Sequence, residues 1–420
     1  MAEEVVELQG HLIDSLILPR VLDAIMSHRG RFEIQQIKVG ARPEDSSFAR
    51  ILISHKEPRE LEAILKAVRR HGAEPVEREE IRTEPAPCNG VFPEGFYATT
   101  NLDTSVYLGG HWIPVQHPEM DSGILVVRHG SGGRPARRWG GAGRGARART
   151  IKMADVRKGD AIVVGDKGVR VVPVASLRAP GAFEFMTSDV STEKPKGVLI
   201  RSVARLMKEE RAARRPILWV CGPAVIHTGA GPLLEKLIAA GFVQVLFAGN
   251  ALAVHDIECA LLGTSLGISL KRGAPTPAGH EHHLRAINTV RGLGGIRQAV
   301  KAGVLKSGIM HACVRHGVEF VLAGSIRDDG PLPDVISNTV EAQRAMRRLS
   351  RKAGLAIMVA TLLHSVATGN MLPASTRVVS VDIQQAAVTK LLDRGSFQTI
   401  GIVTDVQPFF RELLLELKLG

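Results

Sequence analysis

Cysteine is scarce in this chain: Cys88, Cys221, Cys259 and Cys313 are the four in 420 residues, and no two form a Cys-x-x-Cys pair. Such wide spacing argues against a disulfide framework and against a cysteine zinc site, and it fits a reducing, cytoplasmic setting. Long apolar runs are lacking as well; none approaches the ~18 residues of a membrane span. The chain starts with Glu3 and Glu4, the reverse of the basic start of a secretory signal. What is present is ordinary for a globular protein, 45% hydrophobic and 23% charged residues, enough for a sizeable core without staples. At roughly 150 residues per domain the length suggests two or three domains.

Acidic residues are missing from one stretch in particular. Overall, 54 Lys and Arg against 42 Asp and Glu give a formal charge of +12, yet the stretch from Arg128 to Lys158 holds ten of those basic residues and a single acid, Asp155. The basicity is therefore local, and the same stretch is rich in glycine. Such a composition cannot bury enough apolar area to offset its ordering entropy, so residues 128–150 are predicted to be a solvated insertion. An RNA-binding arm is the sharper alternative, because Arg-rich segments can fold onto phosphates. Only Trp139 is there to stack on a base, and no RNA-binding motif accompanies it, so a nucleic-acid partner is not expected.

The rest of the chain has three textures. Residues 1–80 read as a ferredoxin-like α+β module, with strands at 5–12, 32–39 and 47–54 and helices at 16–27 and 57–71. Pro58 stands in the first turn of the second helix and Gly72 at its end, as helix punctuation demands. Residues 81–195 read as a β-rich, substrate-side module that carries the basic insertion. In it, AIVVGDKGVRVVPV at 161–174 predicts a hairpin around Gly165 and Gly168. Two polar stretches, 88–101 and 117–123, crowd Asn, Glu, Asp and aromatics among glycines; structural turns explain such stretches as readily as a site does. Residues 186–195 look like a hinge. From 196 to 420, short apolar strands at 217–220, 243–248, 320–323, 355–360, 377–382 and 399–404 alternate with helices such as 232–240, 339–352 and 384–392. That pattern means a Rossmann-like parallel sheet covered by helices on both faces.

In such a sheet, ligands sit outside the carboxyl ends of the strands. Those ends hold Asn250 and Ala251, the segment Gly324–Gly330, Thr361 to His364, Asp382, and Asp405 with Val406. An acid at a strand end is the usual partner of an adenosine ribose, although one such Asp is as readily a helix cap. Gly229 and Gly231 precede a helix and offer either a phosphate cradle or a tight turn; the third glycine of the dinucleotide fingerprint is missing, because Leu234 stands in its place. Gly292-Leu293-Gly294-Gly295 reads as a plain turn. His280-Glu281-His282-His283 lacks the spacing that would gather its side chains on one ion, so no metal is expected.

The segments CNGVFPEGFYATTN (88–101), HPEMDSGI (117–124), FAGNALAVHDIE (247–258) and VATLLHSVATGNMLP (359–373) resemble the NAD-dependent ornithine cyclodeaminases of archaeal type. That family carries the region also named for lysine-oxoglutarate reductase/saccharopine dehydrogenase, and its module is also fused behind arginine dihydrolases in cyanobacteria. The resemblance covers nearly the whole chain, and the basic stretch 128–150 departs from it. It implies conversion of L-ornithine to L-proline and ammonia, with NAD returned unchanged. Carried over, the NAD contacts fall on Asn250, Ala251, Asp329, Thr361, Leu362, Leu363, His364, Asp382, Asp405 and Val406. Asn89, Glu94 and Asp121 are candidate substrate contacts, and Glu94, Asp121 and His364 are the candidates for the general base that such chemistry requires. A homo-oligomer is expected. A net NAD-linked amino-acid dehydrogenase and a non-catalytic amino-acid sensor are the alternatives.

Overall fold

The computed structural model describes residues 2–10, 12, 17–40, 47–69, 71–76, 79–127, 146–172, 196–269, 272–276, 279–328, 330–392 and 399–420. They fall into two compact units, Met1–Phe183 and Glu184–Gly420. The module expected at 1–80 and residues 81–183 of the one expected at 81–195 share the first unit. The expected hinge at 186–195 lies outside the described residues.

The first unit opens with β1 (Ala2–Gly10), α1 (Ile17–Ser27), β2 (Arg31–Lys38), β3 (Ser47–His55), α2 (Pro58–Arg69) and β4 (Glu74–Pro75). The sheet order is β2-β3-β1-β4, antiparallel throughout, which is the ferredoxin-like arrangement read from the sequence. In β3, Ser47, Ala49, Ile51 and Ile53 are buried and their neighbours are not, so one face meets the helices. On edge strand β2 the apolar alternation slips where the register shifts between Ile34 and Gln36, and all eight residues are exposed.

Seven strands follow: β5 (Arg82–Pro85), β6 (Asp103–Leu108), β7 (His111–Gln116), β8 (Gly123–Val127), β9 (Arg147–Ile151), β10 (Ala161–Val164) and β11 (Val169–Val172), in the order β11-β6-β7-β9-β8-β10-β5. Two sequence expectations are corrected here. The hairpin at 161–174 does not form: β10 pairs with β5 and β8, whereas β11 pairs with β6. The turn between them spends its backbone groups elsewhere, Gly165 N–H on Gly95 and Gly168 C=O on Tyr107 N–H. The insertion also ends before residue 150. Arg147–Ile151 is strand β9, paired with both β7 and β8, with Ala148 and Thr150 buried between half-buried Arg147 and Arg149. The arginines of the solvent-leaning face disguised a period of two. Residues 128–145 lie outside the described residues.

The second unit runs α3 (Lys196–Ala212), β12 (Ile217–Cys221), α4 (Ala224–His227), α5 (Gly231–Ala239), β13 (Val245–Gly249), α6 (Asn250–Leu262), the short pair β14 (Thr264–Ser265) and β15 (Ile268–Ser269), α7 (His282–Leu293), α8 (Ile296–Lys301), α9 (Ile309–Arg315), β16 (Glu319–Ala323), β17 (Val335–Ile336), α10 (Thr339–Ser350), β18 (Leu355–Val359), α11 (Leu362–Met371), β19 (Arg377–Asp382), α12 (Gln385–Leu392), β20 (Thr399–Val403) and α13 (Val406–Glu416). All six strands drawn from the sequence are present, and β17 is added at the edge. The sheet is parallel in the order β17-β16-β13-β12-β18-β19-β20. Apart from edge strand β17, that is the doubly wound 3-2-1-4-5-6 order. Central strand β12 is buried along its whole length. Ile217, Trp219 and Cys221 point into one core, and Leu218 and Val220 into the other, so helices cover both faces. Trp219 donates its Nε1–H to Phe242 O at 3.0 Å and stacks on Phe410.

Candidate active site

The order of the second sheet reverses between β12 and β18, and in doubly wound folds a crevice opens outside the carboxyl ends of the strands at that point. Here the chain leaves β12 at Gly222 and β18 at Ala360. A Cβ on Gly222 would collide with the Ala360 carbonyl oxygen, so only glycine lets the two turns meet. Gly222 N–H bonds Val359 O at 3.0 Å, and Ala360 N–H bonds Val381 O at 2.9 Å. Ala360 itself sits at φ 50°, a left-handed conformation costly for a residue with a Cβ.

The Gly229–Gly231 segment turns out to be a tight turn. The amides of Val225 through Ala230 are all bonded to carbonyls of residues 222–226, which builds α4; the opening of α5 at Gly231 has no side-chain cap. Beyond it, Gly249 and Thr361, the residues that precede α6 and α11, likewise give those helices no side-chain cap. By contrast, Asn338 caps α10, Asp405 caps α13, and Asp382 Oδ1 accepts Gln384 N–H at 2.9 Å ahead of α12. Two uncapped helix N-termini at the edge of one sheet are suited to a negatively charged ligand.

Asn250 is buried, and its Oδ1 accepts Leu332 N–H at 3.1 Å; Ala251 beside it is exposed. His364 lies over the end of β13, where a Cβ on Gly249 would stand 3.2 Å from its Cε1. Burial lowers the His364 pKa against the opposing pull of Asp328, so the imidazole is neutral near pH 7. Leu362, Leu363 and Ile383 are exposed and give the strand ends an apolar rim. Asp382 is half-buried and Asp405 exposed. Each spends one contact on a backbone amide, and a carboxylate has room for several more. The Val406 side chain is buried in the core. Asp329 lies outside the described residues.

In the first unit, the structure brings the stretches 88–101 and 117–123 together. Thr99 Oγ1 donates to Glu119 O at 2.7 Å and accepts Ser122 N–H at 3.2 Å, while Asp121 N–H bonds Thr99 O. Phe92 packs against Gly123 and stacks on Phe96, so the aromatics that stood out in the sequence are core residues. Asn89 Oδ1 accepts Lys158 N–H at 2.9 Å, and Glu94 and Asp121 are exposed. Sequence reasoning missed Glu119, a buried carboxylate 3.7 Å from Lys152 Nζ. Lys152 also reaches the carbonyls of Met120 and Asp121, and His117 and Asp121 both have positive φ. Strain of this kind collects at functional loops. The missed signal was a proline-flanked Glu between two strands. Among the described residues no three His, Cys, Asp or Glu gather as a metal site, and no helix is long and apolar enough to cross a membrane.

The comparisons with known proteins agree along the chain. Residues 3–102 match the LOR/SDH bifunctional enzyme conserved region, 103–200 the first region of the arginine dihydrolase ArgZ-like C-terminal part, and 201–413 its Rossmann fold. A Methanopyrus kandleri protein named ornithine cyclodeaminase is 51% identical over 99% of this chain and 97% of its own length. The chain belongs to that ornithine cyclodeaminase family. The family also reaches into longer cyanobacterial proteins: apo ArgZ, an arginine dihydrolase of the ornithine-ammonia cycle, superposes with a TM-score of 0.81 at 35% identity over 99% of this chain and 58% of that one. A ternary complex of AgrE with ornithine and NAD+ gives a TM-score of 0.53 at 36% identity, over 99% and 57%.

Proposed function

We propose that this chain is an NAD-dependent ornithine cyclodeaminase, converting L-ornithine to L-proline and ammonia. The observation that carries the reading is one sheet edge: turns in contact at Gly222 and Ala360, two uncapped helix N-termini, and carboxylates at the ends of β19 and β20. Relatives named for this activity, and AgrE with ornithine and NAD+, support it.

In this reading the amides opening α6 and α11 face the pyrophosphate, and Asp382 and Asp405 accept ribose hydroxyls. Asn250 fixes the end of β13 through Leu332, and Ala251, Thr361, Leu362 and Leu363 line the nucleotide. NAD, when bound, takes a hydride from the ornithine Cα and returns it to the cyclised imine. The chain's own task is to keep water out, hold the substrate's two ends in one pocket so that ring closure is effectively unimolecular, and carry protons. In this reading His364, neutral near pH 7, accepts a proton during the reaction. Within the first unit, Glu94 and Asp121 are exposed carboxylates on loops, with Asn89 in the same stretch as Glu94, and a carboxylate of this kind can hold an ammonium. The test is product analysis: the purified protein with NAD should release proline and ammonia in equal amounts from L-ornithine. Ornithine binding without turnover would instead mark a sensor.

A further inference from the structure

A cluster of imidazoles in the second unit has no part in that scheme. At its centre Glu258 of α6 is fully buried and ringed by donors: His255 Nδ1, Thr264 Oγ1 and Gly267 N–H, each at 2.9 Å, and Leu266 N–H at 3.2 Å. Burial opposes the charge, yet these bonds prevail and hold the carboxyl below its ordinary range. An ionised Glu258 makes His255 Nδ1 the donor. Against His255 lies His227, ring centroids 4.9 Å apart and edge-on. His227 Nδ1 is in turn 2.8 Å from Ser265 Oγ. The other titratable groups facing this set are His282 of α7, whose Nδ1 is 2.7 Å from Thr264 Oγ1, His283 of α7, 6.5 Å from the His255 ring, and Cys259 of α6.

Two features lift the cluster above packing. A buried carboxylate is costly, and Glu258 is held by four donors at once. His227 is also half-buried rather than enclosed, and it ends α4, the short helix that follows Gly222 out of β12. It therefore stands on the loop that borders the crevice. In the tautomer that donates Nδ1–H to Ser265 Oγ, the His227 lone pair sits on Nε2. Burial first, and then the neighbouring His255, lower its pKa, while Glu258 pulls it up, so the ring is neutral near pH 7 and free to take a proton.

We propose that His227 is the proton carrier for the substrate amine, with His255 and Glu258 behind it as the positioning pair. The inference rests on the ornithine reading. The substrate's δ-ammonium gives an N–H proton to His227 Nε2, and the electron pair left on nitrogen forms the C–N bond to the oxidised Cα. Nε2 then hands that proton to the α-nitrogen and takes a second one from the ring nitrogen, whose freed electron pair breaks the bond from Cα to the α-nitrogen; the departing ammonia carries the second proton away as ammonium. Protons balance, and no further oxidant or reductant is needed.

The test pairs kinetics with NMR of the protein labelled with ¹⁵N-histidine. His227→Gln should lower kcat about 100-fold or more, the scale of a general base, with the Kd for NAD nearly unchanged. Glu258→Gln removes the charge that raises the His227 pKa. The His227 resonance should then titrate at lower pH than in the parent, and the acidic limb of kcat/KM should move with it. Ser265→Ala, a milder change, should lower kcat with KM held if Glu258→Gln does not fold. Parent-like kcat in His227→Gln overturns the proposal, as does parent-like kcat in Ser265→Ala. So does a loss of NAD affinity in step with kcat, or an acidic limb that moves while the His227 resonance does not. If the parent itself makes no proline from ornithine, the functional reading fails instead, and the His227 titration still reports on the cluster.

Discussion

Gly222 and Ala360 touch at the point where the strand order of the parallel sheet reverses, and the contact tolerates no Cβ on the glycine. Gly222→Ala has to push the two turns apart. Overpacking of this kind costs about 1–3 kcal/mol, and because the turns frame the crevice, NAD affinity should fall as well. Ala360→Gly relieves the left-handed strain and should leave NAD binding intact. Thermal melts and nucleotide titrations of both variants check this; a Gly222→Ala protein that binds NAD like the parent would remove the contact from the site.

Asp382 can serve as a ribose ligand, a helix cap or both. Its Oδ1 holds Gln384 N–H, and Asn caps about as well as Asp. Asp382→Asn should therefore melt like the parent but bind NAD about 10-fold more weakly, because hydrogen bonds to charged groups contribute about 1.5–3 kcal/mol. Unchanged affinity would make Asp382 a cap alone, and would remove the ground for a ribose role at Asp405, which caps α13 in the same way.

Much of the second unit was legible because continuous apolar strands such as Ile217–Cys221 permit only a sheet buried on both faces. Strand ends followed from that, and with them the positions of Asn250, His364, Asp382 and Asp405. The first unit was harder. Arg147 and Arg149 disguised a central strand as part of a basic insertion, and the Gly165–Gly168 turn looked like a hairpin because local sequence does not say which distant carbonyl a turn will bond. Glu119 and Glu258 escaped notice for a related reason: what marks them is burial and a ring of donors, which sequence does not display.

The insertion makes a direct test. Removing residues 131–143 should leave folding and turnover nearly intact, since their composition offers little to a core. Extending the cut through Arg149 removes most of β9 and its pairing with β7 and β8, and should abolish soluble expression. Loss of fold in the shorter deletion would give the insertion a structural role.

Asp256 should leave a mark on the pH dependence of stability. It is buried, with both oxygens on the amides of Ile309 and Met310 that open α9. Burial raises its pKa from 3.8 to about 7 despite those bonds. The folded state therefore binds the proton more tightly than the unfolded chain, and stability falls as pH rises from about 4 to about 7, then levels off. Asp256→Asn should flatten that slope in denaturant titrations across the same window. An equal slope in parent and variant would mean the carboxyl titrates normally.

In the proposed scheme the hydride returns to the cyclised imine, so NAD acts as a catalyst and not as a reactant. The most direct measurement is the yield of proline from excess L-ornithine with NAD far below the substrate concentration, followed together with reduced-nicotinamide absorbance. Many proline molecules per NAD, with no lasting rise in absorbance, is the expected result. One reduced nicotinamide per ornithine consumed, or no proline at all, would contradict it.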